Sequence, residues 1–423
     1  MRSQLFHTAL AWVCLLGFGI APLAAQTTSS STAIAPSDAN NASAPAMVPE
    51  PDDDNSGQQP PGKLSFLPHQ ISDGLDVNIW GWLGYLQEKS DGWNPYWDGE
   101  LQLDVNKSFG DRLAVTADVN FIDANDHAFG QLEQFFATTV VYEPAGTLLT
   151  VGKFNASFGV ESRDFWNRST GTTSLLFGAQ PQDLIGIMLT QPIGQTGIKI
   201  RPFIANDFQG HADFDQPPSA GITVEYRPNT TWRFAVTNWV GPGFVRTRPV
   251  SEQDEYGSEY ASDTAAPRNP AAETYSTSAS GENYGGYNVV ADNYLGPKFD
   301  ARNGGTLYFV DAKAIWTPRP DLTLAVEGLV GTTVSSDGRA TWAGAMVLAN
   351  YDITDRMHVF GRWSFIDDTP WIVTAAIQRR HELSAGVGYE IYHNVELRTE
   401  YRHDFSDTQE DADSVSVHLA FGI

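Results

Sequence analysis

Along most of this chain, apolar side chains fall on every second residue. The last stretch, DSVSVHLAFGI, is the plainest case. Val415, Val417, Leu419, Phe421 and Ile423 alternate with Ser414, Ser416, His418, Ala420 and Gly422. A period of two predicts a strand with one greasy and one wet face. The edge of a soluble sandwich gives such a pattern. So does a ring of strands, whose last member must close against its first.

Similar alternation flanks a series of tight bends: DVNKSFGDRLAV, VVYEPAGTLLTV, TQPIGQTGIKI, EYRPNTTWRFAV, IWTPRPDLTLAV, ANYDITDRMHVF and GYEIYHNVELRT. Pro, Gly, Asn and Asp sit where the bend needs fixed φ or φ above zero. Tyr142, Tyr226, Trp316, Tyr351 and Tyr389 stand just before the bends. Rings with an apolar body and a polar tip suit a membrane–water boundary. The opposite connections, near 87–97, 124–131, 161–181, 208–218, 243–303, 335–340, 367–379 and 406–412, are longer and more polar. Seven short turns and eight long loops predict about sixteen antiparallel strands, within a range of 14–18, and put both termini on the short-turn side. An even strand number with asymmetric loops is the pattern of a bacterial transmembrane β-barrel. The expected fold is therefore all-β, closed and membrane-spanning.

The chain's two ends fit that architecture. Arg2, an apolar stretch from Leu5 to Ile20 and the small residues of PLAAQ predict a signal peptide over 1–25, cleaved after Ala25. Residues 26–63 are rich in Ser, Thr, Ala, Pro, Asn and Asp, and predict a disordered periplasmic linker. Residues 64–423 carry the barrel. The one cysteine, Cys14, lies in the signal, so a disulfide or thiolate metal site is not expected. No later run is long and apolar enough for a membrane helix.

Strand parity sorts the side chains into two faces. In VELRTEYR, Val395, Leu397, Thr399 and Tyr401 point out, and Glu396, Arg398, Glu400 and Arg402 point in. In RMHVFGRWSF, Met357, Val359, Gly361, Trp363 and Phe365 point out, leaving His358, Phe360, Arg362 and Ser364 inside. Lys199, Arg201 and Phe203 point in from GIKIRPFIA. The same rule turns Glu100, Gln102, Asp104, Asp118, Asn120, Glu225, Arg233, Glu327 and Glu382 inward. A charge facing lipid at mid-membrane costs about 2–4 kcal/mol for Arg or Lys. Sixteen strands also enclose more space than side chains alone fill. The interior is expected to be wet and charged with both signs, with some of those charges pairing to stiffen the wall.

One segment is more specific than any alternation. VGKFNASFGVESRDFWNRSTGTTSLLFGAQPQDLIGIML, residues 151–189, carries Gly152-Lys153-Phe154-Asn155, then Phe158-Gly159 and Glu161, then Asn167 and Ser169. It resembles the OmpL-like β-barrel porin family, as do GRWSFIDD (361–368) and ELRTEYRHDFSD (396–407) in lesser degree. The resemblance implies an outer-membrane porin for passive diffusion of small hydrophilic solutes. Parity within the motif points Lys153, Asn155 and Ser157 inward, and Phe154, Ala156 and Phe158 to lipid. In general porins a loop after the fifth strand narrows the lumen. Here that loop is 161–181, which either stays an outward surface loop or folds in to set Glu161, Arg163, Asp164, Phe165, Trp166 and Arg168 opposite Arg362, Arg398 and Arg402. The expected pore lining is then Lys153, Asn155, Glu161, Arg163, Asp164, Arg168, Lys199, Arg201, Arg233, Arg362, Glu382, Glu396, Arg398, Glu400 and Arg402. Expected partners are outer-membrane lipid and lipopolysaccharide, small solutes, the barrel-assembly machinery through the last strand, and further copies in a homotrimer.

A formal net charge of −25 argues against nucleic acid as a partner. It also predicts a preference for cations, which inward arginines would oppose locally. The nine histidines show no paired-ligand spacing, so no metal or other cofactor is expected. His381, His403 and His418, with Ser364, Ser384 and Ser416, are the nearest approach to a hydrolytic set, but no nucleophile motif surrounds them, and no enzyme is expected. The long loop 243–303 is rich in Tyr, Ser, Asn, Gly and acids. It supports a second reading, a surface adhesin or structural barrel acting through that loop.

Overall fold

A computed structural model describes residues 69–72, 74–89, 93–123, 131–162, 164–206, 217–242, 305–335, 338–368, 378–406 and 411–422. The expected signal peptide, linker and long loop 243–303 lie outside the described residues, as do Arg163 and Ile423.

The strands are β1 (His69–Ser72), β2 (Leu75–Lys89), β3 (Trp93–Phe109), β4 (Leu113–Asp123), β5 (Gln131–Tyr142), β6 (Thr147–Asn155), β7 (Asp183–Pro192), β8 (Ile198–Ala205) and β9 (Ser219–Tyr226). They continue as β10 (Trp232–Pro242), β11 (Thr306–Arg319), β12 (Leu322–Ser335), β13 (Gly338–Thr354), β14 (Met357–Asp368), β15 (Gln378–Tyr392), β16 (Val395–Ser406) and β17 (Ala412–Gly422). From β2 to β17 each strand pairs antiparallel with the next, and β17 pairs with β2, which closes a ring of sixteen. Every one of the seven expected short turns joins the strands it should. Gly146, at φ 63°, and Asn394, also at φ 63°, supply the left-handed backbone that two of them need.

The outward face is apolar in strand after strand. Leu83, Val151, Ile187, Ile204, Val326, Val347, Val417 and Leu419 are all exposed there. Tyr142, Tyr226, Trp316, Tyr351 and Tyr389 are exposed beside the short turns. Trp232 stacks on Trp316 at 5.2 Å, which thickens that girdle. The opposite parity buries charge and amide: Gln102, Asp118, Asn120, Arg233, Glu327, Arg362, Arg398 and Glu400. The wall is uneven in height. β2 and β3 have 15 and 17 residues, whereas β8 and β9 have 8 each.

The seam differs in register from the expected partner, residues 75–86. β17 pairs with Trp80 through Lys89, ending at Gly422↔Trp80. The lower edge of β2, which β17 leaves uncovered, is taken by β1 through His69↔Val77, Gln70↔Asp76 and Ser72↔Leu75. Every edge in a membrane barrel must be paired, because lipid offers no hydrogen bonds. The four residues of β1 finish what the last strand is too short to cover.

Two outcomes test the seam and the faces. Removing residues 421–423 deletes the Phe421↔Gly81 and Gly422↔Trp80 pairs and should abolish the compact, heat-modifiable form on unboiled gels. Leu419→Arg places a cation on the lipid face and should destabilise the folded barrel by about 2–4 kcal/mol in a urea titration with vesicles, less if the site lies near the interface.

Candidate functional site: a chain segment held inside the barrel

After β6 the chain does not stay outside the barrel mouth. Residues 156–182 enter the lumen and pack against the inner face on two sides. Phe154, Ala156, Phe158, Val160, Leu175, Leu176 and Ala179 are all buried. Phe158 is ringed by Phe309 at 5.5 Å, Trp239 at 6.2 Å and Phe203 at 6.4 Å, all from inward positions of β8, β10 and β11. Burying one such phenylalanine contributes about 1.5–3 kcal/mol. Gly159 turns at φ 65°, and a Cβ there would lie 2.1 Å from the Gln180 side chain.

An irregular segment inside a barrel must have its peptide groups satisfied, since an unpaired buried N–H or C=O costs about as much as a lost hydrogen bond. Wall side chains do this on both flanks. Towards β11 and β12, Gly159 N–H donates to Asp311 at 3.2 Å and Val160 N–H to Glu327 at 2.6 Å. Lys313 Nζ donates to the Gly159 carbonyl. Towards β14–β16, Gly171 and Thr172 N–H donate to Glu400 at 2.7 and 2.8 Å. Leu175 N–H donates to Ser364 and Glu382, each at 3.2 Å. Carbonyls are met by arginines. Arg398 donates to Thr170 at 2.8 Å and Phe165 at 3.2 Å, and Arg402 to Thr173 at 2.7 Å.

Arg362 is the hub. Its guanidinium donates to Glu382 at 2.7 Å, Glu161 at 2.6 Å, and the Thr172 and Thr173 carbonyls at 2.5 and 3.2 Å. Glu400 lies 3.4 Å away. The planar fork of arginine suits such multiple binding. Glu161, carried by the segment itself, also accepts from Ser174 N–H at 2.8 Å and so fastens the segment to itself and to the wall together.

A third contact is aromatic. Phe165 carries the Arg398 guanidinium 4.4 Å above its ring and stacks on Trp82 at 5.0 Å. Trp166 stacks on Trp80 at 4.7 Å. Trp80 and Trp82 donate their indole N–H groups to Asp104 and Glu100. Trp166, Asn167 and Arg168 are half-buried, and Trp166 faces β2.

The expected site residues fall into three groups. Glu161, Arg362, Glu382, Arg398, Glu400 and Arg402 form the central network, with Glu396 bound to Arg398 at 2.8 Å and Asp164 to Asn167 at 2.9 Å. Arg168 lies over Phe165 at 5.5 Å. Lys199, Arg201 and Arg233 form a second inward cluster near the short-turn end. There Arg201 and Arg233 lie 3.3 and 3.5 Å from Glu225, which Arg227 also contacts. Lys153 and Asn155 depart from expectation and stand on the outward face. Lys153 pairs with exposed Phe135 and forms an ion pair with Asp183 at 3.3 Å. Parity continued from Leu149 and Val151 puts Phe154 inside, the reverse of the phase expected for the motif. Parity prevails because this lumen has an apolar anchor for Phe154 and Phe158 to fill.

Asp311, Lys313, Trp80 and Trp82 were not among the expected site residues. Nor was the run Ser169-Thr170-Gly171-Thr172-Thr173-Ser174, whose backbone the wall grips. Its small side chains were the available signal, since close approach of wall carboxylates needs little bulk. A Cβ on Gly171 would lie 3.1 Å from Glu400.

A closed sixteen-stranded barrel with an apolar outer band, an aromatic girdle and a charged interior holding an inserted loop defines a class: outer-membrane channels. The family described as "Putative beta-barrel porin-2, OmpL-like" matches residues 96–419, and the chain belongs to it. No curated protein sequence is significantly similar to the chain. Solved structures share the fold at low identity. An anion-selective porin from Comamonas acidovorans has a TM-score of 0.56 at 10% identity, covering 82% of this chain and 100% of its own. The outer membrane channel DcaP of Acinetobacter baumannii has 0.53 at 9%, covering 85% and 100%. OmpT of Vibrio cholerae in its trimer form has 0.51 at 10%, covering 83% and 100%. The chain is therefore an outer-membrane β-barrel porin.

Removing the hub should show its weight. Arg362→Met leaves Glu161, Glu382 and Glu400 buried without their cation, and should cost about 3–5 kcal/mol in urea unfolding. It should also open residues 164–175 to proteolysis in the intact barrel. A variant within about 0.5 kcal/mol of wild type would contradict the assignment.

Proposed function

We propose that the protein conducts small hydrophilic solutes passively, with a preference for cations, through a passage narrowed by residues 161–181. The inserted segment carries this reading, because its wall contacts hold it as a fixed constriction. The arginines opposite it are committed to that task. Arg362, Arg398 and Arg402 are buried under the segment, so their charge acts on carboxylates and carbonyls close by. The half-buried Trp166 stacks instead on Trp80, beside the wall strands that carry Glu100, Asp104 and Asp118. A passage lined by carboxylates concentrates cations. Of the expected lining, Glu382, Glu396 and Glu400 are committed to the arginines or to the segment's amides, while Asp164, Arg168, Lys199, Arg201 and Arg233 are read as setting the field. No catalytic step is involved.

The assembly is read as a homotrimer whose outward faces meet neighbouring copies, lipid and lipopolysaccharide. The last strand is read as the segment recognised by the barrel-assembly machinery.

Planar-bilayer recording tests the channel. Stable open steps are expected, with a reversal potential in a KCl gradient showing potassium preferred over chloride. Deleting 164–175 should raise the single-channel conductance and coarsen the selectivity. Unchanged conductance in a folded deletion variant would remove the constriction from the proposal.

A further inference from the structure

Phe165 carries two guanidinium groups that differ in what they hold. Arg398 lies 4.4 Å from the ring and donates to Glu396 and to the Thr170 and Phe165 carbonyls. Arg168 lies 5.5 Å from the same ring. Among the described residues, its side chain makes no hydrogen bond and has no carboxylate at ion-pair distance. Glu161 and Glu100 act on it through space alone, opposed by Arg398 and Arg362. The Arg168 Nε is buried without an acceptor, although the residue as a whole is half-buried. A charged donor left without an acceptor is costly. The fork of a guanidinium matches a carboxylate through two parallel hydrogen bonds.

Trp166, two residues before Arg168, supplies a flat surface. One of its faces stacks on Trp80 at 4.7 Å with the planes 6° apart. Among the described residues no ring covers the other face, and Trp166 is half-buried. Phe165, which carries Arg168, stacks on Trp82. Trp80 and Trp82 are alternate residues of β2, so the two stacks stand roughly 6–7 Å apart. A carboxylate on the guanidinium, joined to a ring over Trp166, spans such a gap. Both stacks are fixed before any solute arrives, since Asp104 and Glu100 hold the two indoles and Asp164 holds Asn167 between Trp166 and Arg168. Such preorganisation favours binding.

We propose that Arg168 and Trp166 form a subsite in the constriction for planar aromatic carboxylates, of which benzoate is the simplest. Arg168 takes the carboxylate and the open face of Trp166 takes the ring. The acidic wall beside them disfavours a bare anion, so the ring contact decides which anions are held. The subsite rests on the channel reading for passage of the solute, whereas binding needs only the folded barrel.

Isothermal titration of the detergent-folded protein reads binding, and planar bilayers read passage. Sodium benzoate is expected to bind saturably and to interrupt the open current, and sodium acetate to do neither at the same concentration. Arg168→Gln should weaken benzoate binding about tenfold or more. Arg168→Lys should weaken it nearly as much, because it keeps the charge and loses the fork. Trp166→Leu should bring benzoate down to the level of acetate. Heat-modifiable mobility on unboiled gels confirms that each variant is folded. Benzoate binding equal in wild type and folded Arg168→Gln overturns the subsite, as does equal binding of benzoate and acetate by the wild type. Benzoate binding that depends on both residues, in a barrel that passes no current, keeps the subsite and removes the channel reading. Stable current without such binding keeps the channel and removes the subsite.

Discussion

A stretch of coil enclosed by a β-barrel must find hydrogen-bond partners for its backbone, and the interior of this barrel is arranged around that requirement. Residues 157–175 form no strand, yet many of their N–H and C=O groups reach a wall side chain. Carboxylates of β11, β12, β15 and β16 accept from the amides. Arginines of β14 and β16 donate to the carbonyls. The two polarities therefore alternate along the wall for a structural reason. Taking away one partner exposes a buried charge as well as a buried peptide, so the network stands or falls together.

This division of labour decides which charges remain to act on a solute. Arginines that look like the natural lining of a pore are covered by the segment they hold. On the other side Trp166 of the segment stacks on Trp80, whose indole donates to Asp104 of β3. Counting inward charges along the sequence gives a mixed lumen. Knowing which of them are occupied with the backbone separates a fastening side, on β11–β12 and β14–β16, from a facing side.

Most of the fold was legible because it is written in two periodic signals, alternation and tight turns. Both are local, and the turn chemistry at Gly146 or Asn394 does not depend on distant residues. The inward position of Arg362, Arg398, Arg402, Glu382 and Glu400 was legible for the same reason. The partners of those residues were not, because Thr170, Thr172 and Thr173 contribute backbone, which carries no mark in the sequence. Lys153 and Asn155 misled for a related cause. Apolar-out, polar-in holds where lipid and water face each other across the wall. Beside an inserted segment the inner face is also apolar, so Phe154 and Phe158 could satisfy either side, and only unbroken parity from Val151 separates them. The seam shifted by several residues, since nothing before β2 showed that β1 would share its edge.

The small strand β1 bears on how the barrel is made. The closing pairs join residues far apart in the chain, whereas the β1–β2 pairs are local. β1 can fold back on β2 as a local hairpin, because only a residue or two separate them. It shields part of an open edge from foreign strands and leaves vacant the length that β17 will need. The two ladders thus share one edge of β2, meeting between Val77 and Trp80.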